Sequence, residues 1–453
     1  MFKKVLIANR GEIALRVVRA CRDLGVQSVV AYSEADRDSL PVRFADEAIC
    51  IGPAASAKSY LSTPAIISAA FITGCDALHP GVGFLSENPY LAEICERVGI
   101  TFIGPSPSVI EKMGDKTIAR NTMQAAGLPV VPGAKGALPN VDTAKQLAAQ
   151  IGYPVMLKPL AGGGGRGIRI IESETELERA FPLARAEAAK AFASGELYIE
   201  RYVLNPRHIE IQLLGDHYGN IIYLGERDCS VQRRYQKLIE EAPAPNLSQT
   251  VREKIGAAAV KGAQAVGYTN AGTMEFLVDA DENFFFMEMN TRIQVEHPVT
   301  ECVTGIDLVK WQILIAAGER LTLTQKDVRI TGHAIECRVN AEDTANGFRP
   351  SAGRVDLFVP PGGIGVRIDS HLFSGYNVPP HYDSLLAKII AYGDTREEAV
   401  ARLERALHET VVNGVKTSIP FQQVILADPE YRAGHFYLNF VEKKLASEGA
   451  ATK

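Results

Sequence analysis

The sequence has no uninterrupted apolar run that approaches the roughly 20 residues of a membrane-spanning helix. Its first residues, MFKKVLIANRGE, lack the apolar core and the cleavage site of a signal peptide. It also lacks an excess of positive charge, because 48 Lys and Arg residues face 53 Asp and Glu residues. We therefore expect no binding to nucleic acid or to a membrane. The seven cysteines form no C-x-x-C pair, which predicts a cytoplasmic protein without a structural zinc site.

Two glycine-based nucleotide motifs are also missing. Residues 4–8 predict a buried strand, and a dinucleotide-binding fold would place G-x-G-x-x-G directly after it. The turn here is Asn9-Arg10-Gly11-Glu12, so the sequence disfavours an NAD-dependent oxidoreductase. Further along the chain, no G-K-[ST] follows the glycine run at 162–167, which excludes a Walker loop.

The first 113 residues do contain an alternation of strands and helices. Apolar residues at helical spacing follow the first strand, from Ile13 to Leu24, and Gly25 stands where a helix would end. Residues 27–32 predict the second strand, and the pattern continues to about Met113. A chain of 453 residues is too long for one compact core, so we expect two to four domains, of which the first is Rossmann-like.

A glycine run follows a short predicted strand further along the chain. The strand, residues 153–158, ends at Lys158, and the run includes Gly163, Gly164 and Gly165. So many glycines cost much chain entropy on folding. A lid whose backbone amides close over phosphate groups would justify that cost, whereas the alternative is a disordered loop tip.

The stretch FFFMEMNTRIQVEHPVTE, residues 284–301, is the most informative segment. If it is extended, its side chains alternate between two faces. One face is apolar, and the other is polar at every second position: Glu288, Asn290, Arg292, Gln294 and Glu296. Carboxylate and amide oxygens suit Mg²⁺, a guanidinium binds a small oxyanion, and Glu296 can act as a general base. The alternative is a solvated strand edge whose charges have no function.

A predicted hairpin places a second acid beside this polar face. Residues 273–278 predict a strand, and a two-residue turn at Asp281-Glu282 would connect it to the strand at 284. Glu275 then lies opposite Glu288, and two facing carboxylates repel each other unless a cation lies between them. This register is one of several that the loop allows.

Two upstream segments are also rich in polar residues. His208, Glu210 and Gln212 share one face of another predicted strand. The dense polar run at 226–237 has a solvated loop as its simplest alternative. Cys229 within that run has no nearby histidine in the sequence that would make it a nucleophile.

Six motifs match one known family over essentially the whole chain: IANRGEIALRV, ALHPGVGFLSEN, KPLAGGGGRGIR, NPRHIEIQ, QRRYQKLIEEAP and EMNTRIQVEHPVTE. The chain resembles the biotin carboxylase subunit of bacterial biotin-dependent carboxylases of the acetyl-CoA carboxylase type, in the ATP-grasp superfamily. The resemblance implies an α/β fold with three parts. These are a Rossmann-like pre-ATP-grasp domain (1–113), an ATP-grasp domain (114–330) that includes a mobile lid (133–203), and a mixed α+β C-terminal domain (331–447).

The resemblance also implies the reaction and its partners. Such enzymes use ATP with Mg²⁺ or Mn²⁺ to make carboxyphosphate from bicarbonate, and carboxyphosphate then delivers CO₂ to the ureido nitrogen of biotin. The chain has no Ala-Met-Lys-Met attachment motif, so biotin is expected as a carried substrate that is not attached to it. We expect a biotin carboxyl carrier protein and carboxyltransferase subunits as partners, and a homodimer. The acetyl-CoA carboxylase type would place the chain in fatty acid biosynthesis.

By the same resemblance, each candidate residue has an expected role. The catalytic residues are Glu296 as base, Arg338 as the cation that stabilises the biotin enolate, and Arg292 and Lys237. The ATP-binding residues are Lys116, Lys158, Gly163, Gly164, Gly165, Glu200, Tyr202, Val203, His208, Gln232, Tyr235 and Leu277. The bicarbonate and biotin residues are Arg292, Gln294, Val295, Glu296, Arg338 and Val82. The metal ligands are Glu275, Glu288 and Asn290.

The sequence departs from the family pattern at two positions. Tyr235 stands where the family usually has histidine in QRRHQK, which alters an expected ribose contact. Val82 stands where the family usually has tyrosine in HPGYGF, which removes a hydroxyl near the expected biotin site. Neither residue belongs to the acid, base or metal set, so we expect an active enzyme.

Three alternatives to this interpretation differ in strength. The ATPase subunit of a pyruvate or propionyl-CoA carboxylase has the same chemistry, so the sequence leaves the final carboxyl acceptor open. VEHPVTE together with QKLIEEAP disfavours an amino-acid or purine ligase. A non-catalytic nucleotide-binding scaffold would be expected to lack part of the catalytic and metal set, but the four diagnostic residues are present: Glu288, Asn290, Glu296 and Arg338.

Overall fold

The computed structural model describes residues 1–134, 136–160, 167–192 and 194–451, with side chains described through residue 446. The predicted phosphate contacts at Gly163, Gly164 and Gly165 lie outside these ranges. No helix within the ranges combines the length and the apolar character needed to span a bilayer. The fold is mixed α/β, and three successive regions of the chain build it.

The N-terminal region is a sheet with helices between its strands, as the sequence predicted. Its elements are β1 (Lys4–Ile7), α1 (Gly11–Asp23), β2 (Gln27–Ser33), α2 (Leu40–Phe44), β3 (Glu47–Gly52), α3 (Thr63–Thr73), β4 (Ala77–His79), α4 (Pro89–Val98), β5 (Thr101–Phe102) and α5 (Pro107–Gly114). The strand order is β3-β2-β1-β4-β5, and every neighbouring pair is parallel. Parallel strands need crossover connections, which the helices supply. The turn at 9–12 follows β1, so it lies at the carboxyl edge of the sheet, where such folds place their sites.

The middle region contains a small sheet and part of a larger one. Its elements are α6 (Lys116–Ala125), α7 (Val141–Ile151), β6 (Val155–Pro159), β7 (Arg169–Ile171), α8 (Glu174–Phe192), β8 (Leu197–Arg201), β9 (Arg207–Gly215), β10 (Ile221–Arg233), β11 (Gln236–Ala242), α9 (Gln249–Ala265), β12 (Asn270–Val278), β13 (Phe284–Asn290), α10 (His297–Thr304) and α11 (Leu308–Ala316). The small sheet has the order β7-β6-β8. Helices α7 and α8 pack on it and share its apolar core.

The C-terminal region supplies the remaining strands and helices. Its elements are β14 (His333–Asn340), β15 (Glu342–Asp343), β16 (Arg349–Pro350), β17 (Gly353–Arg354), β18 (Leu357–Val359), β19 (Val366–Ser370), β20 (Asn377–Val378), β21 (Leu385–Gly393), α12 (Arg396–Glu409), β22 (Val411–Asn413), α13 (Ile419–Ala427), α14 (Pro429–Arg432) and α15 (Phe440–Ala451). Helices α12 and α13 share a core with β14 and β21.

The larger sheet joins the middle and C-terminal regions. Its order is β13-β12-β9-β10-β11-β14-β21-β19, and all neighbouring pairs are antiparallel. The joint is the pairing of β11 with β14, which sets Glu240 opposite Glu336. Strand β9 is buried along its whole length. Its apolar face packs against α9, and its other face carries the predicted polar row of His208, Glu210 and Gln212.

Strand β13 ends earlier than the sequence predicted. It stops at Asn290, residues 291–296 form a loop, and α10 begins at His297. Pro298 lies in the first turn of α10, a position that proline favours because its missing N–H would have no partner there. The extended interpretation of residues 284–301 is therefore wrong beyond the end of the strand. A loop, not a strand face, positions the last three polar residues of the predicted row.

The β12–β13 hairpin sets Glu275 opposite Glu288, as predicted, but with another turn. Asp279 pairs with Asn283 around a three-residue loop. The Asp279 carboxylate accepts a hydrogen bond from the Asn283 amide at 2.8 Å, which stabilises this loop. The predicted two-residue turn is therefore wrong. Met287 is an extra residue in β13, and this bulge restores the pairing of the two glutamates.

Strands β10 and β11 contain the dense polar run, so the solvated-loop alternative is wrong. All residues of β10 from 224 to 232 are buried. Arg234 and Tyr235 form the two-residue turn between the strands, with φ values of 49° and 64°. Positive φ at both positions is typical of the turn that suits the twist of a hairpin. Tyr235 is 66% exposed at this tip.

Glu241 of β11 anchors helix α12 to the larger sheet. Its Oε2 lies 2.6 Å from His333 Nε2 and accepts a hydrogen bond from Arg396 Nε at 2.7 Å. Burial alone raises the pKa of Glu241, but hydrogen bonds from His333 and Arg396 outweigh burial and lower that pKa to about 2. Neighbouring residues of a strand point to opposite faces, so Glu240 lies on the other face.

We predict that Glu241→Gln destabilises the protein by about 3 kcal/mol at pH 7, since the pKa of Glu241 falls from 4.5 to about 2 on folding. A pKa that is lowered in the folded state contributes stability that is complete above about pH 5 and is lost as the pH falls toward 2. Urea denaturation at pH 7 and pH 4 should show a gap between wild type and variant that is about 1 kcal/mol smaller at pH 4. A gap that does not change with pH would contradict the assignment.

Candidate active site

The candidate site lies on the polar face of the larger sheet, where β9, β10 and β12 are adjacent. Arg227 of β10 is fully buried there. It donates hydrogen bonds of 2.6 to 3.3 Å to five side chains: Glu210, Gln212, Thr273, Gln294 and Thr300. The planar guanidinium has five N–H groups, which suits a position with acceptors on several sides. Arg227 thus connects the strands to the loop at 291–296 and to α10.

Lys237 of β11 lies among three carboxylates. Its ammonium contacts Glu210, lies 2.6 Å from Glu296 and lies 3.3 Å from Glu275. Burial alone lowers the pKa of Lys237, but these carboxylates outweigh burial and hold that pKa well above its usual value. The cation in turn permits acids to be buried side by side, which would otherwise be costly.

Glu296 is held between two cations from different strands. Its Oε1 accepts a hydrogen bond from Lys237 at 2.6 Å, and its Oε2 accepts one from Arg338 of β14 at 3.0 Å. Arg338 also donates to Glu240 at 2.6 Å. Burial alone raises the pKa of Glu296, but Lys237, Arg338 and Arg227 outweigh burial and hold that pKa well below its usual value. Glu296 is therefore an ionised carboxylate at neutral pH.

The predicted metal ligands Glu275, Glu288 and Asn290 lie together on the β12–β13 hairpin. Glu275 Oε1 accepts hydrogen bonds of 2.7 Å from Asn290 and from Gln294, and His208 Nε2 lies 2.8 Å from its Oε2. Glu288, opposite Glu275, has a more distant cation, Lys116, at 3.6 Å. Burial and the facing Glu275 raise the pKa of Glu288. This position favours an additional positive charge, and its oxygen donors suit a hard divalent cation.

Arg292 is oriented by an acid from the N-terminal region. Its Nε donates to Glu87 Oε2 at 2.9 Å, and its Nη2 donates to Asn290 Oδ1 at 2.9 Å. Glu87 also accepts a hydrogen bond from the Thr291 amide at 3.0 Å. These contacts hold the start of the loop at 291–296 against the segment that follows β4.

A cavity of about 470 Å³ opens beside this loop. Arg292 and Val295 line it from the loop, and Val82 lines it from the N-terminal region. His381 and Asp383, which precede β21, line its C-terminal side. The cavity thus lies where all three regions of the chain meet, and Val82 contributes an apolar wall to it.

Comparison with known proteins decides the family. Three protein-family models match: "Biotin carboxylase, N-terminal domain" at residues 1–110, "Carbamoyl-phosphate synthase L chain, ATP binding domain" at 115–324, and "Biotin carboxylase C-terminal domain" at 336–443. The chain is 56% identical to Biotin carboxylase 1 of Bacillus subtilis over 443 residues, which cover 98% of both chains. The chain belongs to the biotin carboxylase family. Its fold is that of the ATP-grasp enzymes, and its chemical class is that of an ATP-dependent ligase.

Members of this biotin carboxylase family serve different carboxylases. The chain is 52% identical to a pyruvate carboxylase subunit of Methanothermobacter thermautotrophicus, over 98% of this chain and 90% of that one. It also resembles the solved dimer of the biotin carboxylase domain of Hydrogenobacter thermophilus 2-oxoglutarate carboxylase. That comparison has a TM-score of 0.90 and 52% identity and covers 98% of both chains. The structure of that protein contains MgADP, ADP and bicarbonate.

The residues that the biotin carboxylase resemblance predicts for ATP lie in several elements. Lys158 Nζ of β6 and Glu200 Oε1 of β8 form an ion pair at 2.6 Å. On the larger sheet, Gln232 Nε2 lies 3.3 Å from His208 Nδ1, and Leu277 of β12 pairs with His208 of β9. Lys158 and Glu200 are thus in contact in the small sheet, and His208, Gln232 and Leu277 are neighbours in the larger sheet.

Three further residues predicted for ATP lie outside the strands: Tyr202, Val203 and Tyr235. The Tyr202 amide donates a hydrogen bond to the Pro154 carbonyl at 3.0 Å, so this N–H has a partner within the chain, and Val203 follows it in the connection to β9. Tyr235 lies at the exposed hairpin tip, away from the buried carboxylates. The roles of these residues stay predictions.

Several residues of the site were not among the predicted ones, among them the charged residues Glu87, Glu210, Arg227 and Glu240. Glu210 had a visible signal, because it alternates with His208 and Gln212 on one strand face. Arg227 and Glu240 lie within or next to the dense polar run, whose burial no local pattern indicates. Glu87 lies 205 positions before Arg292, and a single sequence contains no signal for such a contact.

We predict that Arg227→Met destabilises the protein by about 3–5 kcal/mol, because removing the guanidinium leaves the buried oxygens Glu210 Oε2 and Gln294 Oε1 without their hydrogen-bond donor. The measurement is the urea midpoint and slope of unfolding by fluorescence. Lys310→Met is the matched control, since its 2.7 Å ion pair with Asp23 is partly exposed and surface pairs contribute about 0–1 kcal/mol. Equal effects of the two substitutions would mean that the buried network does not stabilise the sheet.

Proposed function

We propose that the chain carboxylates biotin on a carrier protein with ATP and bicarbonate, through carboxyphosphate. The observation that supports this most is the Glu296 carboxylate, which is ionised, lies between Lys237 and Arg338, and belongs to the last residue of the loop that lines the cavity. A carboxylate in this position can remove a proton from one substrate while the two cations stabilise negative charge on another. The similarity to solved relatives with bound MgADP and bicarbonate supports the same assignment.

Glu296 must become a stronger base when substrate binds. In the structure two cations hold its pKa low. We propose that bicarbonate binds to the Arg292 guanidinium, the Gln294 amide and the Val295 N–H. An anion there competes for the nearby cations, which weakens their hold on Glu296 and raises its pKa. Glu296 then removes the bicarbonate proton while the bicarbonate oxygen attacks the γ-phosphorus of ATP, which yields carboxyphosphate and ADP.

The metal and phosphate contacts follow from the same arrangement. Glu275, Glu288 and Asn290 are the proposed ligands of Mg²⁺ or Mn²⁺, since two facing carboxylates and an amide lie together and the nearest cation to Glu288 in the described ranges is 3.6 Å away. The bound metal neutralises phosphate charge during transfer. Lys116 lies 3.6 Å from Glu288, so its ammonium is near enough to assist with the same phosphates. Lys158 is proposed to reach the phosphates from the small sheet.

The second step is assigned to Arg338. Carboxyphosphate delivers CO₂ to the ureido nitrogen of biotin, and negative charge develops on the ureido oxygen. Arg338 is a fixed cation whose position is set by Glu240 and Glu296. A cation in such a water-poor site stabilises an oxyanion by a few kcal/mol. Val82 supplies an apolar wall of the cavity where we place biotin.

The partners and the acceptor are the finer part of the proposal. We propose a cytoplasmic homodimer that works with a biotin carboxyl carrier protein and carboxyltransferase subunits. Acetyl-CoA is the proposed final acceptor, which places the chain in fatty acid biosynthesis. A role in pyruvate carboxylase is the second candidate, because one subunit of such an enzyme is 52% identical to this chain. The biotin half-reaction is the same in both cases.

We predict that the purified chain contains no covalent biotin and carboxylates added free biotin. ADP release should require bicarbonate and should increase when biotin is added. Intact-mass measurement tests the first statement, and a coupled ADP assay with and without each substrate tests the second. A biotinylated lysine on the chain, or ADP release that does not depend on bicarbonate, would contradict the proposal.

We predict that Glu296→Ala and Arg338→Ala separate the two steps. Glu296→Ala should reduce both biotin-independent ADP release and carboxybiotin formation by about 10²–10⁴-fold, because general-base removal typically costs this much. Arg338→Ala should retain much of the biotin-independent ADP release and lose carboxybiotin formation, because carboxyphosphate forms and decomposes without biotin. Glu296→Gln is the matched variant that keeps the shape of the side chain and loses its charge. Equal losses of every activity in both alanine variants would refute the separate roles.

A further inference from the structure

Lys388 of β21 is a fully buried cation that contacts all three regions of the chain. Its ammonium donates a hydrogen bond to the Val295 carbonyl at 2.7 Å. The same ammonium lies 3.1 Å from the Glu12 carboxylate of α1. Burying a charge is costly unless it is paired and hydrogen-bonded. Here one contact is an ion pair to the N-terminal region, and the other is to the backbone of the loop that precedes Glu296.

Lys388 lies next to a second cation in the larger sheet. Lys388 pairs directly with Arg338 across β14 and β21, so both side chains lie on the same face. Two cations side by side repel each other unless acids lie around them. Glu12 and Asp369 supply that negative charge: Glu12 forms the ion pair described above, Asp369 of β19 pairs directly with Lys388, and both acids are buried. Burial alone lowers the pKa of Lys388, but nearby carboxylates, Glu12 first, outweigh it, so Lys388 stays charged.

The two paired cations hold neighbouring parts of one peptide. Arg338 contacts the carboxylate of Glu296 at 3.0 Å, and Lys388 contacts the carbonyl that is bonded to the Glu296 nitrogen. The peptide bond is planar, so fixing the Val295 carbonyl fixes the plane that leads into Glu296. A simple ion pair with Glu12 would not need this contact, and buried ion pairs by themselves add little net stability.

We infer that Lys388 is a positioning residue that sets the Val295–Glu296 peptide, and through it the bicarbonate site and the base. The inference rests on the proposed function, in which Val295 and Glu296 act on bicarbonate. Without the ammonium, the Val295–Glu296 peptide plane is free to rotate, which displaces the Glu296 backbone and with it the Glu296 carboxylate. The Val295 N–H lies in the preceding peptide and loses the anchor on its own residue's carbonyl. The nucleotide contacts on the other strands keep their positions, because Lys388 does not touch them.

The first test is Lys388→Met, which keeps most of the apolar stem and removes the charge. We expect the KM for bicarbonate to rise by about tenfold or more and kcat to fall by a similar factor, since a small displacement of a reacting group costs up to about 10²-fold. The KM for ATP should change by less than about twofold. Arg396→Met is the matched control, because it breaks a buried ion pair on the opposite face of the same sheet. This control should lower stability and leave the KM for bicarbonate unchanged.

A second variant and a second readout keep the inference testable if Lys388→Met does not fold. Glu12→Gln removes the counter-charge and leaves Lys388 in place, and it should raise the KM for bicarbonate by about threefold, a smaller shift because the hydrogen bond to the Val295 carbonyl survives. Hydrogen exchange of the peptide that spans 291–297 should be faster in the folded Lys388 or Glu12 variant and unchanged in the Arg396 control. Unchanged exchange in this peptide, or a bicarbonate KM that stays within about twofold of wild type, overturns the inference.

The same measurements distinguish a failure of this inference from a failure of the proposed function. Absence of bicarbonate-dependent ADP release in the wild type would refute the proposed function. The exchange measurement would still decide whether Lys388 positions the peptide, because it does not use the reaction. Normal wild-type activity combined with an unaffected bicarbonate KM in the variants would refute the role of Lys388 alone.

Discussion

The compensation of charge around Lys237 is the constraint on which the rest of the site depends. Three carboxylates from β9, β12 and the loop at 291–296 approach one ammonium group. Without it, burial and mutual repulsion would raise the pKa of each acid and neutralise at least part of the set. With it, Glu296 stays ionised although it is buried. The site therefore has a base and potential metal ligands within a few ångströms of each other. Besides Lys237, each acid has a second partner of its own: Arg227 contacts Glu210, His208 contacts Glu275, and Arg338 contacts Glu296.

The sequence predicted the fold where local patterns determine it. The parallel opening, the polar row on β9 and the pairing of Glu275 with Glu288 all follow from periodicity and from the spacing of polar residues. The pairing was right although the predicted turn was wrong, because a bulge at Met287 compensates for a loop that is stabilised by Asp279. The segment after Asn290 was mispredicted as extended, because period-two polarity persists in the sequence although residues 291–296 form a loop and a helix begins at His297.

Contacts between distant parts of the chain could not be predicted in this way. Glu87 orients Arg292, and Lys388 holds the Val295 carbonyl, although each pair is separated by about ninety positions or more. No periodicity links such residues, since they meet only when three regions have folded and packed. The burial of the polar run at 226–237 could not be predicted for the same reason, because the acids that neutralise Arg227 and Lys237 lie in other parts of the chain. The resemblance to known enzymes supplied the roles of Glu296 and Arg338, and the structure supplied their partners.

The pairing of β11 with β14 has a consequence for how the protein is divided. The matched family regions end at 324 and resume at 336, yet the hydrogen-bonded sheet runs across this boundary without a break. A cut at the boundary would leave two long, hydrogen-bond-competent edges, and such edges pair with other chains and promote aggregation. The family boundary therefore does not coincide with a break in the sheet. The middle and C-terminal regions share one sheet, so a C-terminal region taken from another protein would have to match the edge of β11 in length and register.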